Sequence, residues 1–278
     1  MTRISVITVT YNLIEAGRAD MFRQAVASVR AQSHGDVEHI LVDGASTDGT
    51  DALIAQEVAL GGIARVISEP DRGVYDAMNK GAAAATGDWI LFLNSDDFYH
   101  RSDGLAAVAD VPGAADFVAS PVIRQDGTTS EIAGVSRGFA RVLITMPFSH
   151  QGLAMRRGLF ADLSGFDPAF RVAADYDLVL RMFLSGARGH VLPGAFATFR
   201  TGGLSADTTG LKQDQLAIWR KNLGHFATVP DDVWTAAQGR RTLPRSTLAA
   251  MAQSPDLTPH LRRLAAFQRA RNWLRGAP

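Results

Sequence analysis

The sequence predicts an α/β fold: a mostly parallel central sheet flanked by helices, followed by a helical C-terminal extension. Three observations carry this expectation. Short apolar runs of strand length alternate with segments of helical period along the N-terminal part of the chain. Clusters of Asp, Asn and Gly recur where those runs end. From Leu211 onward the pattern is helical, divided by Pro230, Pro244, Pro255 and Pro259.

Taken in order, residues 4–9 are an apolar run that reads as a buried parallel strand. A helix follows, with Phe22, Val26 and Val29 on one face. Residues 37–42 form the second buried strand, and the next helical segment places Ala52, Leu53 and Val58 inward. Residues 64–68 form a third buried strand, residues 75–85 a helix and residues 89–93 a fourth strand. This spacing makes βαβ units of a nucleotide-binding type. After Asn94 the rhythm loosens. Residues 116–120 and 122–123 read as strands, Gln125-Asp126-Gly127-Thr128 as a hairpin turn, and residues 148–155 return to the sheet. Helices are expected at 157–163 and 176–185, the second with Leu178, Val179, Met182 and Phe183 inward. The expected division is an α/β domain over residues 1–210 and a helical, basic extension over 211–278.

The 278 residues allow one or two domains of about 150 residues. With 28 basic and 28 acidic residues the formal net charge is 0, which offers no global attraction to nucleic acid. Cysteine is absent, which excludes disulfide scaffolds, zinc ribbons and thiol nucleophiles. No apolar stretch approaches the roughly 18 residues of a membrane span, and residues 4–9 are too short for a signal-peptide core. The expectation is a cytoplasmic protein, at most peripheral on the inner face of the cell membrane.

The neutral total conceals an asymmetry. Residues 1–210 hold 17 Lys/Arg against 24 Asp/Glu, a net −7, whereas residues 211–278 hold 11 against 4, a net +7. Residues 261–278 carry Arg262, Arg263, Arg269, Arg271 and Arg275 with no acid, beside Leu261, Leu264, Phe267, Trp273 and Leu274. A basic, aromatic-bearing end makes an anionic membrane surface a candidate partner. On a helical wheel the arginines scatter among the apolar residues, so a solvated helix packed on the body is the alternative.

In open parallel sheets, ligands bind beyond the carboxyl ends of the strands. The polar clusters fall there. Thr10-Tyr11-Asn12 follows the first strand, and Asp43 with Gly44-Ala45-Ser46-Thr47-Asp48-Gly49-Thr50 the second. The third leads into Asp71-Arg72-Gly73 and then Asp76, Asn79 and Lys80, and the fourth into Asn94-Ser95-Asp96-Asp97. Each alone could be turn chemistry, but all four converge on one cleft. Adjacent carboxylates at Asp96 and Asp97 repel unless a cation or hydrogen-bond donors compensate them, and hard oxygen ligands suit Mg²⁺ or Mn²⁺. A capped turn is the other reading of that segment. No Walker loop or dinucleotide fingerprint follows the first strand. Ser33-His34 and Ser149-His150 lack a nucleophile-elbow context, and Trp219 and Trp234 read as packing residues.

These four segments resemble the inverting family 2 glycosyltransferases of GT-A fold, in particular bacterial enzymes of exopolysaccharide and colanic-acid assembly. Phe148-Ser149-His150-Gln151, Gly165-Phe166-Asp167, Ala173-Ala174-Asp175-Tyr176-Asp177-Leu178 with Arg181, and the segment from Phe199 to Ser205 continue the resemblance in order. The resemblance implies that Thr10, Tyr11 and Asn12 line a nucleotide pocket, with Asp43 accepting a hydrogen bond from the base. It places Asp48, Asp71, Arg72, Gly73, Asp76, Asn79, Lys80, Asn94, Ser95 and Asp96 around the donor. It makes Asp96 and Asp97 the metal ligands and Asp175 the catalytic base, with Asp177 and Arg181 supporting it. His150 and Gln151 are candidates for an acceptor or phosphate contact, a structural histidine being the alternative.

Three positions depart from that pattern. Asn94 stands where an acid is frequent, Thr201 falls in a segment that often holds a histidine, and Ala174 replaces the acid usual before the base. The resulting reading is a metal-dependent hexosyl- or N-acetylhexosaminyl-transferase. It would move a sugar from a nucleotide-sugar donor, a UDP-sugar, to a saccharide or lipid-linked acceptor in bacterial cell-surface polysaccharide synthesis. Two rivals stand beside it: a non-catalytic nucleotide-sugar-binding assembly subunit, and a sugar nucleotidyltransferase. The second should carry a Gly-rich, basic phosphate loop where Thr10-Tyr11-Asn12 stands.

Overall fold

The strands β1 (Ile4–Thr10), β2 (Val37–Asp43), β3 (Arg65–Ser68) and β4 (Trp89–Phe92) run parallel in the order β4-β1-β2-β3. In this computed structural model, which describes residues 2–203 and 206–274, the chain forms two compact units. The first comprises Met1–Val135, Phe148–Pro168 and Arg188–Gly203. Its helices are α1 (Ala19–Arg30), α2 (Thr50–Ala59), α3 (Val74–Ala84), α4 (Gly104–Ala109) and α5 (Arg157–Asp162).

Strand alternation explains why helices cover both faces. Ile4 and Val6 pack with Ala25 and Val29 of α1, whereas Ile7, one position out of phase, lies against Gly81 of α3. Phe22, Val26 and Val29 of α1 are buried as their spacing requires. Two expectations need correction. In α2 the inward residues are Thr50, Leu53, Ile54 and Glu57, so Ala52 and Val58 face solvent. β3 is the outermost strand with a single neighbour, so Arg65 and Val66 are exposed rather than buried.

After β4 the chain forms β5 (Phe98–Tyr99), β6 (Phe117–Ala119), the hairpin β7 (Val122–Asp126) and β8 (Thr129–Ala133), then β9 (Leu153–Arg156), β10 (Gly189–Val191) and β11 (Ala197–Arg200). The main sheet has the order β10-β6-β9-β4-β1-β2-β3, with β9 antiparallel to both neighbours. A second sheet has the order β5-β11-β7-β8. The Gly127 turn closes the expected hairpin with φ +54°, a left-handed value.

The second unit comprises Ser136–Pro147, Ala169–Ala187 and Leu204–Pro278. Its helices are α6 (Ala174–Leu184), α7 (Thr208–Leu223), α8 (Asp231–Gly239), α9 (Arg245–Gln253) and α10 (Pro259–Leu274). Pro230 and Pro244 stand just before α8 and α9, and Pro259 is the first residue of α10, positions at which proline loses no helical hydrogen bond. The helices after residue 204 share a unit with α6. Contacts between α6 and α7, given below, hold them together. Trp219 and Trp234 are buried packing residues. Ser205 and Arg275 lie outside the described residues. Among the described residues, no helix is long and apolar enough to cross a membrane.

Candidate functional site

The β1–β2 register sets Thr10 opposite Asp43 at the carboxyl ends of both strands. Thr10 Oγ1 donates to Asp43 Oδ1 at 3.0 Å, and Asp43 is only 2% exposed. The same oxygen accepts from Ser46 Oγ at 2.6 Å. Oδ2 accepts from the Ser46 N–H at 2.9 Å and from Ser68 Oγ at 3.1 Å. Four donors from β1, β3 and the loop after β2 thus compensate one buried carboxylate. A side chain at Gly44 would collide with the Asp71 carboxylate and the Tyr11 ring, so glycine lets those two close over the strand end. Tyr11 is 65% exposed there.

Asn12 adopts φ +44°, which asparagine tolerates better than most residues. Its N–H donates to Ser46 Oγ at 2.8 Å and its Oδ1 accepts from the Thr47 N–H at 3.1 Å. Asp48 accepts from Thr50 Oγ1 at 2.6 Å and from the Glu15 N–H at 2.7 Å, clasping the β1–α1 loop to the start of α2.

The loop before α3 is held by its own acids. Asp71 Oδ1 accepts from the Gly73 N–H at 2.8 Å, and Gly73 has φ +116°, a value that favours glycine. Arg72 donates to Asp76 through its N–H at 3.1 Å and its guanidinium at 3.0 Å. That guanidinium first, with Lys80 adding, holds the Asp76 carboxyl below the usual carboxylate range. Lys80 pairs with Glu69 at 2.9 Å. Asn79 grips the backbone of Phe166 with both ends of its amide, at 2.8 and 2.9 Å. Asn79 therefore joins α3 to the Gly165-Phe166 turn.

The acidic turn after β4 lies beside these loops, because β4 is the parallel neighbour of β1. Its two carboxylates differ sharply. Asp97 is fully buried and accepts from Gln151 Nε2 at 3.0 Å, Asn94 Nδ2 at 3.2 Å and the Arg200 N–H at 2.9 Å. Burial first, then the neighbouring Asp96 charge, push its carboxyl up to about 6. The Asp96 side chain keeps 16% of its surface open and pairs with Arg18 at 3.4 Å. The Arg200 guanidinium donates to the Asp96 carbonyl and lies 4.7 Å over the Phe98 ring. His150 Nε2 lies 3.5 Å from Asn94 Nδ2. Ser95 and Gln151 are buried, and Asn94 Oδ1 is a buried acceptor with no donor on it among the described residues.

No three His, Cys, Asp or Glu side chains among the described residues converge into a self-sufficient metal site. Asp97 is committed to protein donors. Asp96 offers one accessible carboxylate, which fits a Mg²⁺ or Mn²⁺ that takes its remaining ligands from phosphate and water.

Asp175 belongs to the second unit, in the first turn of α6. Its neighbours Ala174, Tyr176, Asp177 and Leu178 are buried, while Asp175 itself is half-buried. Three anchors hold this turn to α7. Asp214 Oδ2 accepts from the N–H groups of Val172 and Ala173 at 2.7 and 3.0 Å. Trp219 Nε1 donates to the Tyr176 hydroxyl at 2.9 Å. Asp177, fully buried, accepts from Arg181 at 2.7 Å, Asn222 at 2.8 Å and Lys221 at 3.2 Å.

The first unit thus brings together Thr10, Tyr11, Asn12, Asp43 and Asp71 at the strand ends, with the acidic turn, His150 and Gln151 beside them. Asp48, Asp76, Asn79 and Lys80 spend their polar groups on loop and helix contacts. Sequence reasoning missed Arg18, Arg200 and Asp214. Arg200 alone carried a signal, since it lies in the Phe199 segment singled out above.

Residues 5–178 match the sequence family described as Glycosyl transferase family 2. The chain is 38% identical over 186 residues to a PGL/p-HBAD biosynthesis glycosyltransferase of Mycobacterium bovis (strain BCG / Pasteur 1173P2), covering 64% of this chain and 71% of that protein. It is 34% identical over 198 residues to an uncharacterized glycosyltransferase of Mycobacterium tuberculosis (strain ATCC 25618 / H37Rv), covering 65% and 69%. The structure of S. aureus TarS 1-349 in complex with UDP-GlcNAc superposes with a TM-score of 0.66 at 18% identity, covering 99% of this chain and 92% of that one. The mannosyltransferase PcManGT from Pyrobaculum calidifontis, in complex with GDP-Man and Mn2+, gives 0.64 at 18% identity, covering 100% and 88%.

Proposed function

The chain belongs to glycosyl transferase family 2, and on that premise we propose an inverting transfer from a nucleoside diphosphate sugar, a UDP-sugar, to a saccharide or lipid-linked acceptor hydroxyl. It is a glycosyltransferase with the mixed α/β GT-A architecture. The observation that carries the finer reading is the contrast within the acidic turn: one carboxylate sealed by three donors, the other left open beside an unsatisfied buried acceptor, Asn94 Oδ1. Such a turn is built to receive a ligand bearing hydroxyls and phosphates.

In this reading the Tyr11 ring covers the base, and Asp43 fixes the wall of the base pocket through the four donors it gathers. Asn94 Oδ1 accepts from a ribose hydroxyl. Asp96 is the one protein carboxylate for Mg²⁺ or Mn²⁺; Asp97 positions the turn. When bound, such an ion offsets negative charge on the departing diphosphate. Arg18, already paired with Asp96, adds positive charge on the same side. Asp175 takes the acceptor proton as the new glycosidic bond forms at the anomeric carbon and the bond to the diphosphate breaks. The bacterial relatives' role in PGL/p-HBAD biosynthesis supports a glycolipid or other cell-surface acceptor, met at a membrane.

The test is a panel of nucleotide sugars screened by thermal shift with and without Mn²⁺. Transfer to saccharide and lipid-linked acceptors follows, with the product anomer assigned by NMR. A retained anomeric configuration would refute inversion, and donor binding without transfer to any acceptor would favour the non-catalytic assembly subunit.

A further inference from the structure

The helix α10 carries apolar residues on two sides, and among the described residues only one of these sides packs against protein. Leu261, Ala265, Gln268 and Asn272 form the buried stripe. There Gln268 Nε2 donates to the Ala140 carbonyl at 3.3 Å and Asn272 Nδ2 to the Leu243 carbonyl at 3.3 Å. On the other side Phe267 and Trp273 are 65% and 64% exposed. At about 100° of rotation per residue, Arg263, Ala266, Phe267, Ala270 and Trp273 share the outward half of the helix. Arg262 and Arg269 lie along one flank and Arg271 along the other. The helix carries no acidic residue. The apparent scatter of arginines on the wheel is thus two patterns superimposed, a body-facing stripe and a solvent-facing one.

We propose that this outward face of α10 docks on anionic lipid headgroups, the helix lying in the membrane plane. Phe267 and Trp273 would enter the acyl boundary, and the flanking arginines would reach the phosphates with their stems along the apolar surface. Isolated exposed apolar residues are ordinary, but two large aromatics sharing one helix face with Arg263, with Arg262, Arg269 and Arg271 at its flanks and no acid on the helix, match a surface apolar inside and anionic at its edge. A second copy fits poorly, since self-pairing would set this positive face against itself. The convex helix also offers no groove along which a nucleic acid strand could run. This deepens the membrane-side reading of the acceptor given above.

The experiment needs neither donor nor acceptor, so its failure and the failure of the proposed activity are separate results. Trp89, Trp219 and Trp234 are at most 3% exposed, which leaves Trp273 as the one exposed indole of the four. The full chain is mixed with vesicles of phosphatidylcholine, with and without phosphatidylglycerol. Only the phosphatidylglycerol vesicles should co-sediment the protein, shift its tryptophan emission to the blue and shield it from acrylamide, and added salt should reverse all three. The Phe267→Ala/Trp273→Ala double variant should lose binding with unchanged melting. Each of Arg269→Gln and Arg271→Gln should weaken partition by about fivefold at most. Equal binding to neutral vesicles, undiminished binding by the double variant, equally tight salt-sensitive binding to a single-stranded oligonucleotide, or a dimer that dissociates on Trp273→Ala would each overturn the proposal.

Discussion

Trp219 Nε1 donates to the hydroxyl of Tyr176 at 2.9 Å, and both residues are buried. The same hydroxyl donates to the Val142 carbonyl at 3.2 Å, so one phenol oxygen joins α6, α7 and the 136–147 segment. Tyr176→Phe strands a buried indole N–H and a buried carbonyl at once. It should lower stability by about 1–3 kcal/mol in urea titration. A loss below about 0.5 kcal/mol would mean that water or another donor replaces the hydroxyl.

Asp175→Asn keeps the size and hydrogen-bonding reach of the side chain and removes its basicity. Turnover should fall by about 10²-fold or more, with donor affinity nearly unchanged, because a base acts on the acceptor proton in the transition state. Near wild-type turnover with a known donor and acceptor would send the search for the base to His150.

Asp214 acts on Asp175 through the backbone of Val172 and Ala173. Asp214→Ala should reduce kcat while leaving donor Kd in place, and Asp214→Asn, which retains an acceptor oxygen, should restore part of the loss. Equal reductions in the two variants would tie the effect to charge instead of to the hydrogen bonds.

Asp96→Ala should weaken donor binding in Mn²⁺ buffer by about tenfold or more, and EDTA should reproduce that loss with the wild type. Calorimetric donor affinity unaffected by EDTA would remove the metal assignment.

His39, 1% exposed, sits with Nε2 3.0 Å from Thr8 Oγ1, and burial pushes its imidazole down to about 4. The unfolded chain takes up this proton near pH 6.5, ahead of the folded one. The stability that the neutral ring provides is therefore complete above about pH 6.5 and lost as pH falls towards 4. Relative to His39→Gln, the wild type should lose about 3 kcal/mol between pH 7 and 4. A constant difference across that range would show that the folded ring takes up its proton at the same pH as the unfolded chain.

Much of the fold was legible because its signals are local. β1, β2 and β4 are continuous apolar runs, and α1 and α6 present apolar residues at helical spacing. The failures also have local causes. β3 has the composition of a buried strand but ends the sheet, and β5, β10, β11 and α4 are too short to show a period. The position of β9 between β4 and β6, antiparallel to both, is a matter of pairing that no run of residues specifies.

The sequence by itself determined the α/β class, the turn chemistry at the strand ends and the presence of an acidic pair, because periodicity, glycine placement and adjacent charge need no distant partner. Only the tertiary structure decided that Asp97 is sealed and Asp96 open, since Gln151 and Arg200 reach the turn from far along the chain. It also decided which side of α10 meets solvent. Burial and hydrogen-bond satisfaction are properties of neighbours in space, and residues remote in sequence supply them.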